Sequence, residues 1–263
     1  MDLSELNSMF IGDKFYYYNN YLGVVRGINH NNPEFYTVYF YNNSRPCNIP
    51  NNYMKEYYLN RLKYIRMSIL RNRRITRLVH FTPADNLESI LENGMLSRSY
   101  MDQNDFDYWY TDDNRIDGKL DCISNSITFP NYKMFWRKRH EGEPIDWIVL
   151  SIASDILVDK FDTEFYRRNA AANDPLKYKY EPTSNEALEF MFYPEDRDPS
   201  IPANYTTDPQ AEVLIKDSID TSYITRIDTD RPIDKVRSLS LNSRISYNPC
   251  SELFNARKDY RRW

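Results

Sequence analysis

Apolar and polar positions alternate in two different rhythms along this chain, and the change falls near residue 60. From about 11 to 60, short runs rich in Tyr, Phe and Val (Lys14 to Tyr18, Gly23 to Ile28, Phe35 to Tyr41) are separated by Asn-Asn and Asn-His-Asn-Asn-Pro clusters. Such runs suit strands, and Asn and Pro supply the turns between them. The spacing predicts a small SH3-like or Tudor-like β-barrel over residues 1–60, which reads equally as a binding module or as a structural cap. From about Asn52 to Leu70, Tyr, Leu and Ile recur at three- and four-residue intervals, a helical period. Arg71-Asn-Arg-Arg-Ile-Thr-Arg77 then places four arginines in seven residues. Arginine forks suit phosphates, and a solvated linker explains the run as well. Residues 61–77 are therefore read as a helical, basic linker.

From Leu78 onward the pattern is mixed. Leu78 to Thr82 reads as a strand, and Pro83 or Asp85 opens a helix with Leu87, Ile90 and Leu91 on one face and Gly94 as its stop. Residues 97–119 are polar and aperiodic, which predicts a mobile loop. Ile123 to Phe129 predicts a strand, Pro130-Asn131 a turn, and Tyr132, Phe135 and Trp136 a helix. Trp147 to Ile152 and Ala211 to Ile215 are apolar enough to be buried strands, and Asn185 to Phe192 predicts a helix. This alternation predicts an α+β domain with a mixed sheet over 78–263.

Composition narrows the chemistry. Only 6 glycines occur, with no G-x-G-x-x-G and no G-x-x-x-x-G-K-[ST], so the glycine-rich phosphate cradles are missing. A net charge of −4 gives no global attraction to nucleic acid, and leaves that task to local patches. Cys47, Cys122 and Cys250 form no C-x-x-C pair, which argues against a zinc site or disulfide framework and fits a reducing cytoplasm. A start of MDLSELNSMF and the lack of any long apolar run predict a cytoplasmic chain with no membrane partner.

Common catalytic schemes fit poorly. No G-x-S-x-G elbow and no H-E-x-x-H is present, and Cys122 with His80 or His140 reads more simply as a buried strand thiol. Two residues sit in awkward places. His80 lies inside an apolar strand, as a ligand or as a satisfied core histidine. Glu212 opens the apolar run Ala211-Glu-Val-Leu-Ile215, where a half-buried carboxylate is costly without a partner or a task.

Four ordered blocks resemble one family. They are Leu78-Val-His80-Phe-Thr82-Pro through Gly94-Met-Leu96, Asp121-Cys-Ile-Ser124 through Phe135, Asn169-Ala-Ala-Ala172, and Thr207-Asp-Pro-Gln-Ala-Glu212-Val-Leu214. Together they resemble DarT-type toxins, DNA ADP-ribosyltransferases. The resemblance implies an ADP-ribosyltransferase-like split mixed sheet with NAD as co-substrate in its cleft, and no metal. It implies that His80 and Thr82 hold NAD, that Tyr132 walls the nicotinamide pocket, and that Asn86, Met134 and Asn169 complete the cofactor-binding set. Glu212 becomes the transferase glutamate and Arg115 an arginine near the phosphates and the acceptor base, with Arg137 and Arg139 as competitors.

The implied reaction is transfer of ADP-ribose to a base of single-stranded DNA, or of RNA. A base edge must be unpaired before it can react. Tyr108 and Trp109 are candidates for stacking on exposed bases, beside Tyr100, Phe106 and Tyr110, or for packing their own loop. Arg167 and Arg168, in Tyr166-Arg-Arg-Asn169, are candidates for its phosphates, or for a solvated turn. The resemblance also implies a separately encoded macrodomain antitoxin. A catalytically inactive nucleic-acid-binding protein and a protein-modifying transferase are the rival readings.

Overall fold

The computed structural model describes residues 14–17, 20–32, 34–40, 45–104, 118–195, 197–243 and 245–262, and divides into two units, 1–64 and 65–263. The first unit is an antiparallel meander of β1 (Lys14–Tyr17), β2 (Asn20–Asn32), β3 (Phe35–Phe40) and β4 (Cys47–Pro50), paired in that order. Helix α1 (Asn51–Arg73) starts there. Two-residue alternation on β3 turns Tyr36 and Val38 inward against Ile49, Met54 and Tyr58, and leaves Tyr39 outside. Strand β2 is longer than its apolar run. It takes in Asn29 to Asn32, predicted as a turn, because register shifts at Val25/Gly27 and Asn29/Asn32 keep the pairing with β3 going.

The second unit is built on a seven-stranded mixed sheet. Its strands are β5 (Arg77–Pro83), β7 (Cys122–Ile127), β8 (Trp147–Ala153), β9 (Glu164–Tyr166), β10 (Glu212–Lys216), β12 (Ile224–Asp228) and β13 (Ser246–Asn248). They run in the order β13-β12-β8-β5-β7-β10-β9, with the β12–β13 pair parallel and the others antiparallel. A separate two-stranded ladder joins β6 (Met95–Leu96) to β11 (Ser218–Ile219). Strand alternation gives the large sheet two apolar faces. Leu78, Ile127, Leu150, Ile152, Val213 and Ile227 pack in one cluster that also takes in Leu87 of α2 (Leu87–Asn93), Leu157 of α5 (Ile156–Asp159), Leu188 of α6 (Asn185–Phe190) and Val236 of α7 (Asp234–Ser243). Val79, Trp147 and Val149 face the other way, against Tyr132 and Phe135 of α4 (Tyr132–His140) and against Leu253 and Phe254.

Several predicted boundaries shift for local reasons. A short 3-10 turn, Ala84–Asn86, precedes α2, and Gly94 ends it with φ +79. Any Cβ at Gly94 would sit 2.6 Å from the carbonyl oxygen of Ile219, so glycine is required where α2 passes β11. Part of the predicted loop 97–119 is instead helical. Helix α3 (Arg98–Gln103) starts there because the Ser97 side chain accepts from the Tyr100 N–H. Strand β7 stops at Ile127, two residues early, where Thr128 turns to φ 63. The arginine run is divided among the end of α1, a turn in which Arg74 has φ 56, and the first residue of β5.

Arg66 departs most from its sequence appearance. It is fully buried on α1, bonded through Nε to Asn185 Oδ1 (2.9 Å), Nη1 to Leu157 O (2.9 Å) and Nη2 to Thr183 O (2.7 Å). Its guanidinium also lies 3.9 Å from the Phe161 ring centroid. Burial lowers its pKa to about 10, still protonated near neutrality. Among the described residues no helix is long and apolar enough to cross a membrane, and no group of three metal-ligating side chains is present.

Candidate active site

The site begins where two central strands part. Strand β5 stays paired with β8 over its whole length, but its ladder with β7 consists of Leu78↔Ile127 and Val79↔Ser126. Beyond Val79 the strands no longer exchange main-chain bonds, which leaves carbonyls of β7 in need of partners. His80 supplies one: its Nδ1 lies 2.7 Å from the carbonyl oxygen of Ser124. A carbonyl only accepts, so Nδ1 carries the proton in this bond. Two residues on, Thr82 Oγ1 accepts from Asn86 Nδ2 at 2.9 Å, tying the end of β5 to the start of α2.

Across the opening, β7 pairs with β10 in the register Val213↔Asn125 and Leu214↔Ser124. Period-two alternation then puts Ser124 and Ser126 on the same face as Glu212. Glu212 is 9% exposed, and its carboxylate is richly bonded. Ser124 Oγ donates to Oε1 at 3.1 Å, Asn169 Nδ2 to Oε1 at 3.2 Å, and the Ala170 N–H to Oε2 at 2.6 Å. The last two donors come from the turn after β9, whose Tyr166 pairs with Glu212 in the sheet. That turn is itself held in place: Asn169 Oδ1 accepts from the Ala171 N–H at 2.8 Å, and Lys177 Nζ donates to the Ala170 carbonyl. A carboxylate bonded in this way is both desolvated and aimed.

The approach to Glu212 is also buried. Thr206, Thr207 and Asp208 are each under 5% exposed, and Asp208 Oδ2 lies 3.3 Å from Arg168 Nε. Burial raises the pKa of Asp208 from its ordinary value, opposed by its bond from the Gln210 N–H and by the charges of Arg168, Arg257 and Lys133. Arg167 is committed elsewhere, its fork bonded to both oxygens of Asp174 at 2.7 and 2.9 Å. Burial and the neighbouring Asp121 push the Cys122 thiol up to about 12, which leaves it without thiolate character near neutrality.

Helix α4 brings Tyr132 and Met134 to the face opposite the large apolar cluster. Asn131 caps it by accepting from the Met134 N–H at 3.2 Å, and Tyr132 donates to the carbonyl of Tyr260 at 3.5 Å. Arg139 donates through Nη2 to the carbonyl of Phe254 at 2.6 Å, and Arg137 lies 3.4 Å from Glu141. Tyr132, Phe135, Trp136, Arg139 and Phe254 line a pocket of about 260 Å³. The structure thus joins Glu212 to Asn169 directly and to His80 through Ser124. Thr82 and Asn86 pair with each other. Arg115, Tyr108 and Trp109 lie outside the described residues. Ser124 and the Ala170 N–H were not among the predicted site residues. Small side chains at every second position of the strand (Cys122, Ser124, Ser126) were the signal available for Ser124.

The site is thus a mixed sheet opened between two central strands, β5 and β7, with the bonded Glu212 on the neighbouring β10. The family model described as ssDNA thymidine ADP-ribosyltransferase, DarT, matches residues 79–245, and the chain belongs to that family. Comparison with curated protein sequences finds no match. Among solved structures the chain is similar to Thermosipho africanus DarTG in complex with ADP-ribose, at 16% identity and TM-score 0.47, covering 68% of this chain and 51% of that one. It is similar to Thermus sp. 2.9 DarT in complex with NAD+, at 16% identity and TM-score 0.43, covering 70% and 96%. The Thermus sp. 2.9 DarT complex with ADP-ribosylated ssDNA gives 15% identity and TM-score 0.43, covering 71% and 96%.

Proposed function

We propose that this chain uses NAD to ADP-ribosylate thymidine in single-stranded DNA, with Glu212 as the transferase carboxylate. The observation that carries the reading is the Glu212 carboxylate held by Ser124, Asn169 and the Ala170 N–H beside the β5–β7 opening, in a chain whose family model bears that description. In the reaction the bond between nicotinamide nitrogen and ribose C1 breaks, and its electron pair leaves with nicotinamide. A new bond forms from the base to C1, and the base loses a proton. Positive charge develops on the ribose in between, and a fixed carboxylate stabilises it without having to reorganise. A carboxylate also accepts a ribose hydroxyl or a base proton.

The donor set suits such a ligand. Glu212 offers a desolvated acceptor, and His80, Thr82 and Asn86 offer donors and acceptors along β5 and the start of α2. Tyr132, in the α4 pocket, offers a ring to wall the nicotinamide, with Met134 on the same helix. Arg168 is the better placed of the paired arginines for a phosphate, since its side chain is 38% exposed against 11% for Arg167. We assign Arg115 to the phosphates and acceptor base, and Tyr108 and Trp109 to base stacking. Residues 78–263 form the transferase domain in this reading and 61–77 its helical lead-in. The antiparallel strand order of the first unit supports an SH3-like or Tudor-like module over 1–60. The partner would be a macrodomain antitoxin, and Cys47, Cys122 and Cys250, outside any disulfide, suit a reducing cytoplasm.

The test is to incubate the purified chain with labelled NAD and, in parallel, single-stranded DNA, RNA and bulk protein. Label on the DNA is expected. Label on protein or RNA alone would remove the DNA reading, and no label on any acceptor would leave a non-catalytic nucleic-acid-binding protein.

A further inference from the structure

We propose that Arg257, held by Asp259, is a positioning residue for the transfer reaction. It would set the main chain just before β10 and so determine where Glu212 enters the site. The proposal rests on the reading of Glu212 as the transferase carboxylate. Both residues lie beyond 79–245, the part matched by the family model.

Arg257 and Asp259 are 2% and 3% exposed. Arg257 Nε donates to Asp259 Oδ1 at 2.7 Å, and Nη2 donates to the other carboxylate oxygen. The same guanidinium reaches back about fifty residues in sequence. Nη1 donates to the carbonyl of Thr206 at 2.9 Å, and Nη2 to that of Thr207 at 3.0 Å. Those two carbonyls begin a tightly wound stretch. Thr206 Oγ1 donates to Asp208 O at 2.8 Å, Thr207 Oγ1 to Tyr193 O at 2.6 Å, and the Gln210 and Ala211 N–H groups return to Asp208 Oδ1 and Asp208 O. Glu212 follows immediately.

A buried ion pair is a poor device for stability, because desolvating both charges offsets most of their attraction. Its better-attested use is to select one arrangement among several. Here the selected feature is the direction of two adjacent carbonyls, and only a planar fork with several N–H donors can hold both while still facing a carboxylate. Lysine keeps the charge but not the fork. The turn after β9 holds the Glu212 carboxylate from one side, and Arg257 holds the chain that delivers its Cα from the other.

The experiment compares Arg257→Lys, Asp259→Asn and Glu212→Gln in the full chain. It reads steady-state transfer to single-stranded DNA per folded molecule, the Kd for NAD, and amide exchange. For Arg257→Lys and Asp259→Asn, kcat is expected to fall about tenfold with Kd for NAD within about threefold, as a small misplacement of a reacting group would cause. Exchange should rise at Gln210 and Ala211 before it rises in β8. If kcat per folded molecule is unchanged in both variants, or exchange rises equally throughout the sheet, Arg257 is only a structural residue and the proposal fails. Should Arg257→Lys not fold, Asp259→Asn and the exchange data decide by the same criteria. An active Glu212→Gln would remove the reading underneath, whereas an inactive Glu212→Gln beside fully active Arg257→Lys and Asp259→Asn would remove the positioning role alone.

Discussion

Ser124 donates its hydroxyl to Glu212 Oε1 at 3.1 Å across a sequence separation of 88 residues. The same residue's carbonyl receives His80 at 2.7 Å, so one residue of β7 connects both lips of the opening. Replacing Glu212 by Gln keeps the volume and an acceptor for the Ala170 N–H, but removes the charge. The expected outcome is a loss of transfer on the order of 100-fold or more, with thermal unfolding close to that of the unsubstituted protein. Near-normal activity would mean that another carboxylate does this work.

Ser124→Ala removes a bond to a charged group and leaves Asn169 and Ala170 in place. Such a bond contributes roughly 1.5–3 kcal/mol. Transfer should therefore fall by about 10- to 150-fold, and by less than in Glu212→Gln. A Ser124→Ala protein as inactive as Glu212→Gln would show that the hydroxyl itself meets the substrate.

His80 is expected to act on binding more than on turnover, because its ring bonds to the Ser124 carbonyl across the opening. His80→Asn places an amide donor near the position of Nδ1 and should retain NAD affinity better than His80→Ala. Calorimetric titration with NAD checks the order, and equal losses in the two variants would put the role on the other ring nitrogen.

Asp174 carries the clearest pH signature. The fork of Arg167 holds its carboxyl below the ordinary value, so the unfolded chain binds the proton more readily than the folded one. That stabilisation is complete above the unfolded value of about 3.9 and is lost as pH falls through the lower folded value. Arg167→Gln should flatten the acid limb of a stability profile below about pH 4. An acid limb as steep as that of the unsubstituted protein would show that the pair contributes nothing to it.

Gly94→Ala should destabilise by about 1–3 kcal/mol, since its φ of +79 and the Ile219 carbonyl at 2.6 Å both oppose a Cβ. Chemical denaturation reads this directly. A neutral result would require the β6–β11 ladder to shift without cost.

Much of the skeleton was readable before any coordinates. The apolar run from Leu78 to Thr82, the helix with Leu87, Ile90 and Leu91 on one face, and the Gly94 stop follow from period and residue type, which are local properties. So does the suspicion about Glu212, because a carboxylate at the head of an apolar strand is costly whatever surrounds it. The exceptions are also local in appearance and non-local in cause. Asn29 to Asn32 look like a turn until β3 pairs with them, and Arg66 looks like a solvated helix residue until it is found bonded to Asn185, Leu157 and Thr183.

What the sequence alone determined is which residues are expensive to bury and which segments are strands. Tertiary structure decided what answers those costs. Ser124, Asn169 and the Ala170 N–H meet at Glu212 through strand register and a turn, and Arg257 meets Thr206 and Thr207 from the far end of the chain. Hydrogen bonds act over about 3 Å whatever the distance along the chain. No periodicity within a window of residues can reveal them.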